Sequence, residues 1–379
     1  MSSVITNLYQ NTQKGLTIYF LEKFHEKKIK KSMQLCPMKP LTKGQEADIK
    51  AYFKKHFNRN IPTYWHQYLY SRNGLYSEKY IPISIYASSI IYNLNNYQFS
   101  LAYVDKGFYD TLFPDVNRPK TFVKNVNGLY YDDKKAISKE EAIERCSNLE
   151  AAIIKPTILG TWGMGVQLFH VENGFVPELN KSVSDLFSQY KNSFIIQSKL
   201  EQHPDIAKLN PTSVNTIRVL SYRRDNEVIV LYAVIRIGRM GKVVDNETAG
   251  GIKADIDLQT GRIKGPAFGS PTEPNMPQTD SGVTLDNYQI PSFPQILDFV
   301  KSLHLRLPYF RMIGWDISVD ANGNPVMVEW NRSAELSQVA HGPAFGDYTE
   351  EILYKALHEK NTRFNQLSGR NRPSQGWNS

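Results

Sequence analysis

Two cysteines in 379 residues, Cys36 and Cys146, exclude a disulfide-stapled fold and leave no cysteine pair with zinc spacing. The eight histidines form no HxxxH or HxH pair. No run approaches about 18 apolar residues, so no membrane-spanning helix is expected. The first residues, 1–13, lack the charged-then-apolar layout of a leader peptide. The cytoplasm is the simplest compartment, and two free thiols agree with it. No internal repeat and no nucleic-acid-binding module is visible, so a nucleic-acid partner is not expected. GxxxxGK[ST] is missing, so there is no P-loop.

What is present suffices for a core: 41% of residues are hydrophobic and 12% aromatic. The net charge of +8 permits an anionic partner without selecting one. Much of it lies in residues 14–35, where Ile18, Leu21, Ile29 and Met33 alternate with Lys27, Lys28, Lys30 and Lys31. That pattern reads as a surface helix packed on its own domain, or as a basic amphipathic helix on an anionic membrane.

Residues 1–80 read as mainly helical. Thr42 with Gln45 has capping-box character before Ile49, Phe53 and Phe57 at helical spacing. The Tyr- and Trp-rich stretch 64–80 suits core packing, or stacking on sugars or bases. From residue 81 the texture turns to short β-like runs, IPISIYA and FSLAYVD. Ser138 caps a helix that carries Cys146 as a packing residue. Strands follow: AAIIKP, VQLFHVENG, FIIQSKL, a hairpin turning at Asp225-Asn226, a second at Thr260-Gly261, and a third at Asn322-Gly323. Residues 266–294 read as a loop or insertion, a helix spans Gln295 to Leu305, and the tail from about 361 is polar. Hairpins without regular βαβ alternation predict an α+β fold. The expected divisions are 1–80, 81–145, 146–358 and a flexible tail, 359–379.

Three groups of residues point to chemistry. Asp316, Glu329 and Asn331 come together across the last hairpin as an all-oxygen set suited to a hard cation such as Mg²⁺. The alternative is a polar-decorated sheet edge. Lys155 closes an apolar strand, where an ammonium needs an anion. It precedes Gly160, Gly163 and Gly165, a glycine spacing that lets backbone N–H groups approach phosphate. Arg218 and Arg236 lie in apolar strands. Each requires a carboxylate or phosphate partner, so the pair marks an anion site or an internal salt bridge.

Together these residues resemble the ATP-grasp superfamily over roughly 103–336. The wording KPTILGTWGMGV, LEQHP, LNPTSVNTIRVL and AGGIKADIDLQTG is most similar to its sugar-transfer-associated members, linked to bacterial surface polysaccharides. NTIR, AVIR and Asn246-x-x-x-Gly250-Gly251 also resemble the glutamate ligases that modify ribosomal proteins. The resemblance implies the ATP-grasp fold, with ATP held between two α+β lobes after a helical N-terminal region. It implies that Asp316, Glu329 and Asn331 hold two Mg²⁺ ions, that Lys155 and Lys106 touch phosphate, and that 160–165 close over it. Gln197, Lys199 and the Leu200 backbone would face adenine, and either Glu201 or Asn215 the ribose. Arg218 and Arg236 would steady the transferred phosphoryl group, with Lys253 a further anion contact.

The implied activity is an ATP-dependent carboxylate–amine ligase acting through an acyl-phosphate. It would join an amino acid or amine to an acidic saccharide, with a glycosyltransferase as a further partner. Alternatives are peptide ligation, phosphoryl transfer without ligation, or polyanion binding by a vestigial nucleotide site. His203 and His341 lie near these residues in sequence and read as hydrogen-bonding bystanders.

Overall fold

The computed structural model describes residues 2–132, 135–158 and 165–358; for 2–15, 98, 101 and 247 only the backbone is described. Gly160, Gly163 and the tail 359–379 therefore lie outside the described residues, whereas Gly165 lies inside them.

The chain divides into two compact units, residues 1–97 with 309–312 and 342–379, and residues 98–308 with 313–341. The first unit is helical. Its main helices are α1 (Ser2–Met33), α2 (Lys43–Phe57) and α3 (Tyr64–Asn73). Thr42 caps α2 in a full capping box with Gln45, and Ile49, Phe53 and Phe57 form its buried face. Trp65, Tyr68 and Tyr80 are buried, so the aromatic stretch serves as core rather than as a sugar platform.

The run expected as a strand at 81–87 is instead helical, through Ile83–Ile85, a π-turn at Tyr86–Ile90, and Ile91–Leu94. Ile81, Ile85, Tyr86, Ile90, Ile91 and Leu94 are buried at steps of four, one, four, one and three. That is a helical stripe, which a seven-residue window cannot separate from alternation. The second such run is helix Tyr97–Tyr103.

Helix Thr349–His358 belongs to the first unit, where Glu350 accepts from Tyr52 at 2.8 Å and pairs with Lys79 at 3.2 Å. The Asn93 amide donates to the Ala356 carbonyl at 2.9 Å.

The second unit holds two six-stranded sheets. The first uses β1 (Thr121–Val126), β2 (Leu129–Asp132), β3 (Lys135–Ile137), β4 (Leu149–Pro156), β5 (Gln167–Val171) and, after the small hairpin β6 (Phe175–Val176) and β7 (Lys181–Ser182), β8 (Phe194–Ser198). Its order is β3-β2-β1-β8-β4-β5. Val123, Ala152, Ile154, Phe169, Phe194 and Ile196 turn one face into a core, which Cys146, Leu186 and Phe187 complete. Burial pushes the Cys146 thiol up to about 12, which fits an inert packing residue. Period-two alternation then forces Lys124, Lys155 and Gln197 onto the opposite face.

The second sheet uses β9 (Thr216–Arg224), β10 (Glu227–Ile237), β11 (Ile252–Ile256), β12 (Ile263–Phe268), β13 (Met312–Val319) and β14 (Pro325–Asn331), in the order β12-β11-β10-β9-β13-β14. Helix Phe293–Leu305 serves one face, where Ser221 meets His304 at 2.7 Å and accepts from Trp315 at 2.8 Å. Residues 266–294 are partly ordered into this sheet. Ala267 bridges Met276, and Leu285 and Ile290 are fully buried.

Candidate nucleotide and metal site

The site grows from the face of β13 that is turned away from Trp315. Asp316 pairs directly with Glu329 across the β13–β14 hairpin, and Gly314 pairs with Asn331. The Asn331 amide donates to Asp316 at 3.4 Å, which turns its carbonyl oxygen elsewhere. Gly314 leaves room at this point. A Cβ there would lie 2.2 Å from the Ala334 Cβ and 3.6 Å from the Arg218 Cδ. Gly314→Ala is therefore expected to cost about 1–3 kcal/mol of stability by overpacking, measured by urea denaturation, and to displace the segment that carries Glu335.

Asp316 is buried and bound by two arginines. Arg218 donates through Nε at 2.5 Å and Nη2 at 3.0 Å, a bidentate pair, and Arg236 through Nη1 at 3.2 Å. Burial raises the pKa of Asp316, but Arg218 and Arg236 outweigh it, so the carboxyl sits below its ordinary range. Burial would lower Arg218, and Asp316 more than offsets that.

Arg236 also holds Asp245 at 3.1 Å. Asp245 accepts from Thr216 through both backbone N–H and hydroxyl. Burial keeps its pKa above the usual value against the pull of Arg236. Asp245 escaped the sequence reading, although it immediately precedes the Asn246-x-x-x-Gly250-Gly251 run. A Cβ on Gly251 would approach the Asp245 carbonyl to 2.1 Å, so that glycine is what lets the loop fold back and present the acid. Lys253 lies opposite Arg236 in the β10–β11 register, with its ammonium 3.8 Å from Glu335.

Glu329 receives the lysines. Lys106 reaches it at 3.2 Å from a short turn capped by Asp105. The Lys106 N–H donates to the Thr157 carbonyl, which ties this turn to the chain just past Lys155. Among the described residues the Lys155 ammonium has no hydrogen bond or ion pair. Burial first, and then the neighbouring Lys106, pull its pKa down to about 8 against the attraction of Glu329. Lys124 was missed. It flanks Ile195 from β1 as Lys155 does from β4. It is spent structurally, donating to Asp110 at 2.5 Å and to the Gly107 carbonyl at 2.7 Å, which fixes the Lys106 turn. Tyr109 is buried among Glu329, Asp316 and Asp105, and burial raises its phenol well above the usual value.

The expected adenine residues fall in two places. Lys199, Leu200 and Glu201 line a cleft with Arg118, Lys120, Asp320 and Val326. Gln197 shares the Lys155 face, and its amide donates to Thr121 at 3.3 Å. Asn215 does not suit a ribose. It is fully buried, its amide donates to the Ile206 and Asn210 carbonyls, and its oxygen accepts from Ser213. The polar residue that sequence left open against Glu201 is consumed by its own loop. His203 caps a short turn at Asp205, and His341 is held by Asp255 at 2.7 Å, so both are structural partners.

The donors Asp316, Glu329 and Asn331 supply only oxygen, which fits a hard divalent cation. The orphan Lys155 ammonium beside Glu329 fits an added polyanion. Among the described residues no group of three or more His, Cys, Asp or Glu could hold a metal ion.

A family model described as sugar-transfer associated ATP-grasp matches residues 86–352. Among solved structures, the chain is similar to the ATP-grasp ligase PsnB complexed with minimal precursor, Mg and ADP. The identity is 15% and the TM-score 0.38, over 71% of this chain and 62% of that one. It is also similar to a D-alanine–D-alanine ligase from Bacillus anthracis, at 13% identity and TM-score 0.39 over 70% and 69%. D-cycloserine synthetase DcsG matches at 14% and 0.39 over 70% and 72%. This chain thus spans less than two thirds of the length of the first of these. No curated protein matches it.

Proposed function

The chain belongs to the sugar-transfer associated ATP-grasp family, α+β in fold behind a helical N-terminal region, and on that premise we propose that it is an ATP-dependent carboxylate–amine ligase of the cytoplasm. The acceptor would be a uronic acid of a surface polysaccharide or its precursor, and the amine an amino acid or similar compound. A glycosyltransferase that makes the glycan is the fitting partner. The supporting observation is the charge layout: Lys106 and Lys155, the latter without a partner among the described residues, around Glu329, adjoining Asp316 with Arg218 and Arg236.

A carboxylate is a poor electrophile, and ATP would supply the phosphoryl group that converts it to an acyl-phosphate. The protein's task is to position and to neutralise charge. Lys106 and Lys155 bind phosphate oxygens. Asp316, Glu329 and Asn331 hold up to two Mg²⁺ ions, whose contribution is to neutralise the same oxygens. Arg218 and Arg236, freed in part from Asp316, face the transferred group, and Lys253 extends the positive rim toward the acceptor. Lys199, the Leu200 backbone and Glu201 line the cleft for the nucleoside, and Gln197 adjoins it.

The test is ADP release with Mg²⁺, an amino acid mixture and a uronic-acid oligosaccharide, followed by mass spectrometry of the saccharide. Mg²⁺-dependent turnover that needs both co-substrates and adds an amide is the expected result. A phosphorylated saccharide with no amine consumed moves the protein to phosphoryl transfer. Turnover that needs a peptide instead moves it to peptide ligation. Polyanion binding without any ATP turnover sinks the enzyme reading.

A further inference from the structure

The bond that makes His341 a structural partner of Asp255 also decides what its other nitrogen can do. His341 ends the short helix Gln338–His341, which packs on β10, β11 and β12. Its Nδ1 lies 2.7 Å from a carboxylate oxygen of Asp255 on β11. A carboxylate only accepts, so Nδ1 carries the proton and donates, and in the neutral ring Nε2 keeps its lone pair. Among the described residues Nε2 has no hydrogen bond or ion pair, and it is not sealed from solvent. Asp255 does not need this histidine for charge, since Lys264 already neutralises it at 2.9 Å. The pairing instead fixes the ring: Asp255 holds its edge, and Tyr232 stacks on its face with ring centroids 5.0 Å apart.

The strand register puts this ring on the face that carries the two arginines. Arg218, Val234 and Asp255 oppose one another across β9, β10 and β11, so they share a face and lie about 10 Å from end to end. Tyr232 and Arg236 lie two residues either side of Val234, and Lys253 lies two before Asp255, so alternation adds all three to that face. Burial raises the Tyr232 phenol, and the charges of Arg218 and Lys253 oppose the rise, which places both cations near the ring beneath His341. Across the sheet the order is Glu329 on β14, Asp316 on β13, Arg218 on β9, Arg236 on β10, and the Asp255–His341 pair on β11. Arg218, Arg236 and Lys253 as cations cannot take a proton, and Glu329, Asp316 and Asp255 are each held by a cation. His341 offers a lone pair.

We propose that His341 is the general base of amide formation: Nε2 takes a proton from the incoming amine, while Asp255 orients the ring and stabilises the imidazolium that forms. This rests on the ligase reading above. An amine near neutral pH is largely an ammonium, which has no lone pair until it loses a proton. One of its three protons passes to His341, and the freed lone pair forms the C–N bond at the acyl carbon. The C–O bond to phosphate breaks, and phosphate leaves with that electron pair and the second proton. The third proton stays on the amide nitrogen, and His341 returns its own to solvent.

The test compares two nucleophiles in the full chain with Mg²⁺, ATP and a uronic-acid oligosaccharide. An amino acid mixture must lose a proton before attack, whereas hydroxylamine is unprotonated at neutral pH and needs no base. His341→Asn keeps a donor for Asp255 and removes the basic nitrogen. It should slow amide formation on the order of 100–10,000-fold, the usual worth of a general base, and slow hydroxamate formation by under about tenfold. His341→Gln should show the same split, which guards against a folding defect particular to one variant. Equal losses with both nucleophiles would leave His341 a purely structural residue and overturn the inference, as would an undiminished rate of amide formation. Hydroxamate from the parent chain upholds the ligase reading whatever the variants do. A parent that forms neither hydroxamate nor amide sinks that reading, and this inference with it.

Discussion

Asp316→Asn should unfold at markedly lower urea than the parent chain and turn over ATP at most at a thousandth of its rate. The first effect rests on geometry. Asp316 is the shared partner of Arg218 and Arg236, and its side chain is 9% exposed. Removing its charge leaves two guanidiniums close together in a low-dielectric setting, with only Asp245 to satisfy Arg236. Breaking a buried pair by deleting one partner costs about 3–5 kcal/mol.

The pH dependence carries the sign. The folded pKa of Asp316 lies below its unfolded value. Its stabilisation is therefore fully present above the unfolded pKa, near 4 for an ordinary Asp, and is lost as pH falls through the folded value. The variant should lose this part of the acid limb. Asp245 runs the opposite way. Its raised pKa makes folding bind a proton, so that residue's contribution declines as pH rises through its folded value. Urea midpoints from pH 3 to 7 for both chains check this; parallel curves would show that Asp316 is not the acid-sensitive group. The loss of turnover rests on the proposed metal role, and Glu329→Gln separates the two effects. Glu329 is more exposed, and among the described residues its ion pair is with Lys106, so its loss should stop turnover with a smaller change in urea midpoint.

Hairpins were the legible part of this chain, because a turn residue and a period of two define them locally. Asp225 with its positive φ and Gly323 stand where the sequence put the turns. Asp316 and Glu329 then fall opposite each other by register alone. The helix at Ile83–Leu94 was illegible for the converse reason: its buried stripe extends beyond the short run that looked like a strand. Its place at the end of an apolar strand made Lys155 a candidate and the family wording added Lys106, but only the Lys106–Thr157 backbone bond explains how residues 49 positions apart share an acid. Lys124 and Asp245 were hidden because their partners, Asp110 and Arg236, meet them only through the folded sheets. Asn215 misled for a local reason. A buried amide that satisfies its own loop has the same letter as one that faces a ligand.

Lys155 gives the other large effect, a nucleotide affinity that depends on alkaline pH. In the free protein its pKa is near 8, so near neutrality most molecules carry the charge, and by pH 9 most do not. A triphosphate beside the ammonium would favour the charged form and raise the pKa in the complex. Binding then takes up a proton above pH 8. The dissociation constant for ATP should rise as pH climbs from 8, approaching tenfold per unit, and level off at the higher pKa of the complex. Isothermal titration in two buffers of different ionisation enthalpy reads the proton uptake directly. Lys155→Arg, charged throughout, should flatten the profile and retain much of the affinity. Lys155→Met should weaken binding on the order of 10–100-fold at pH 7, the worth of one buried charge-assisted contact, and likewise lose the pH dependence. A Lys155→Met chain with the parent's alkaline profile would assign that proton to another group and remove Lys155 from the phosphate site.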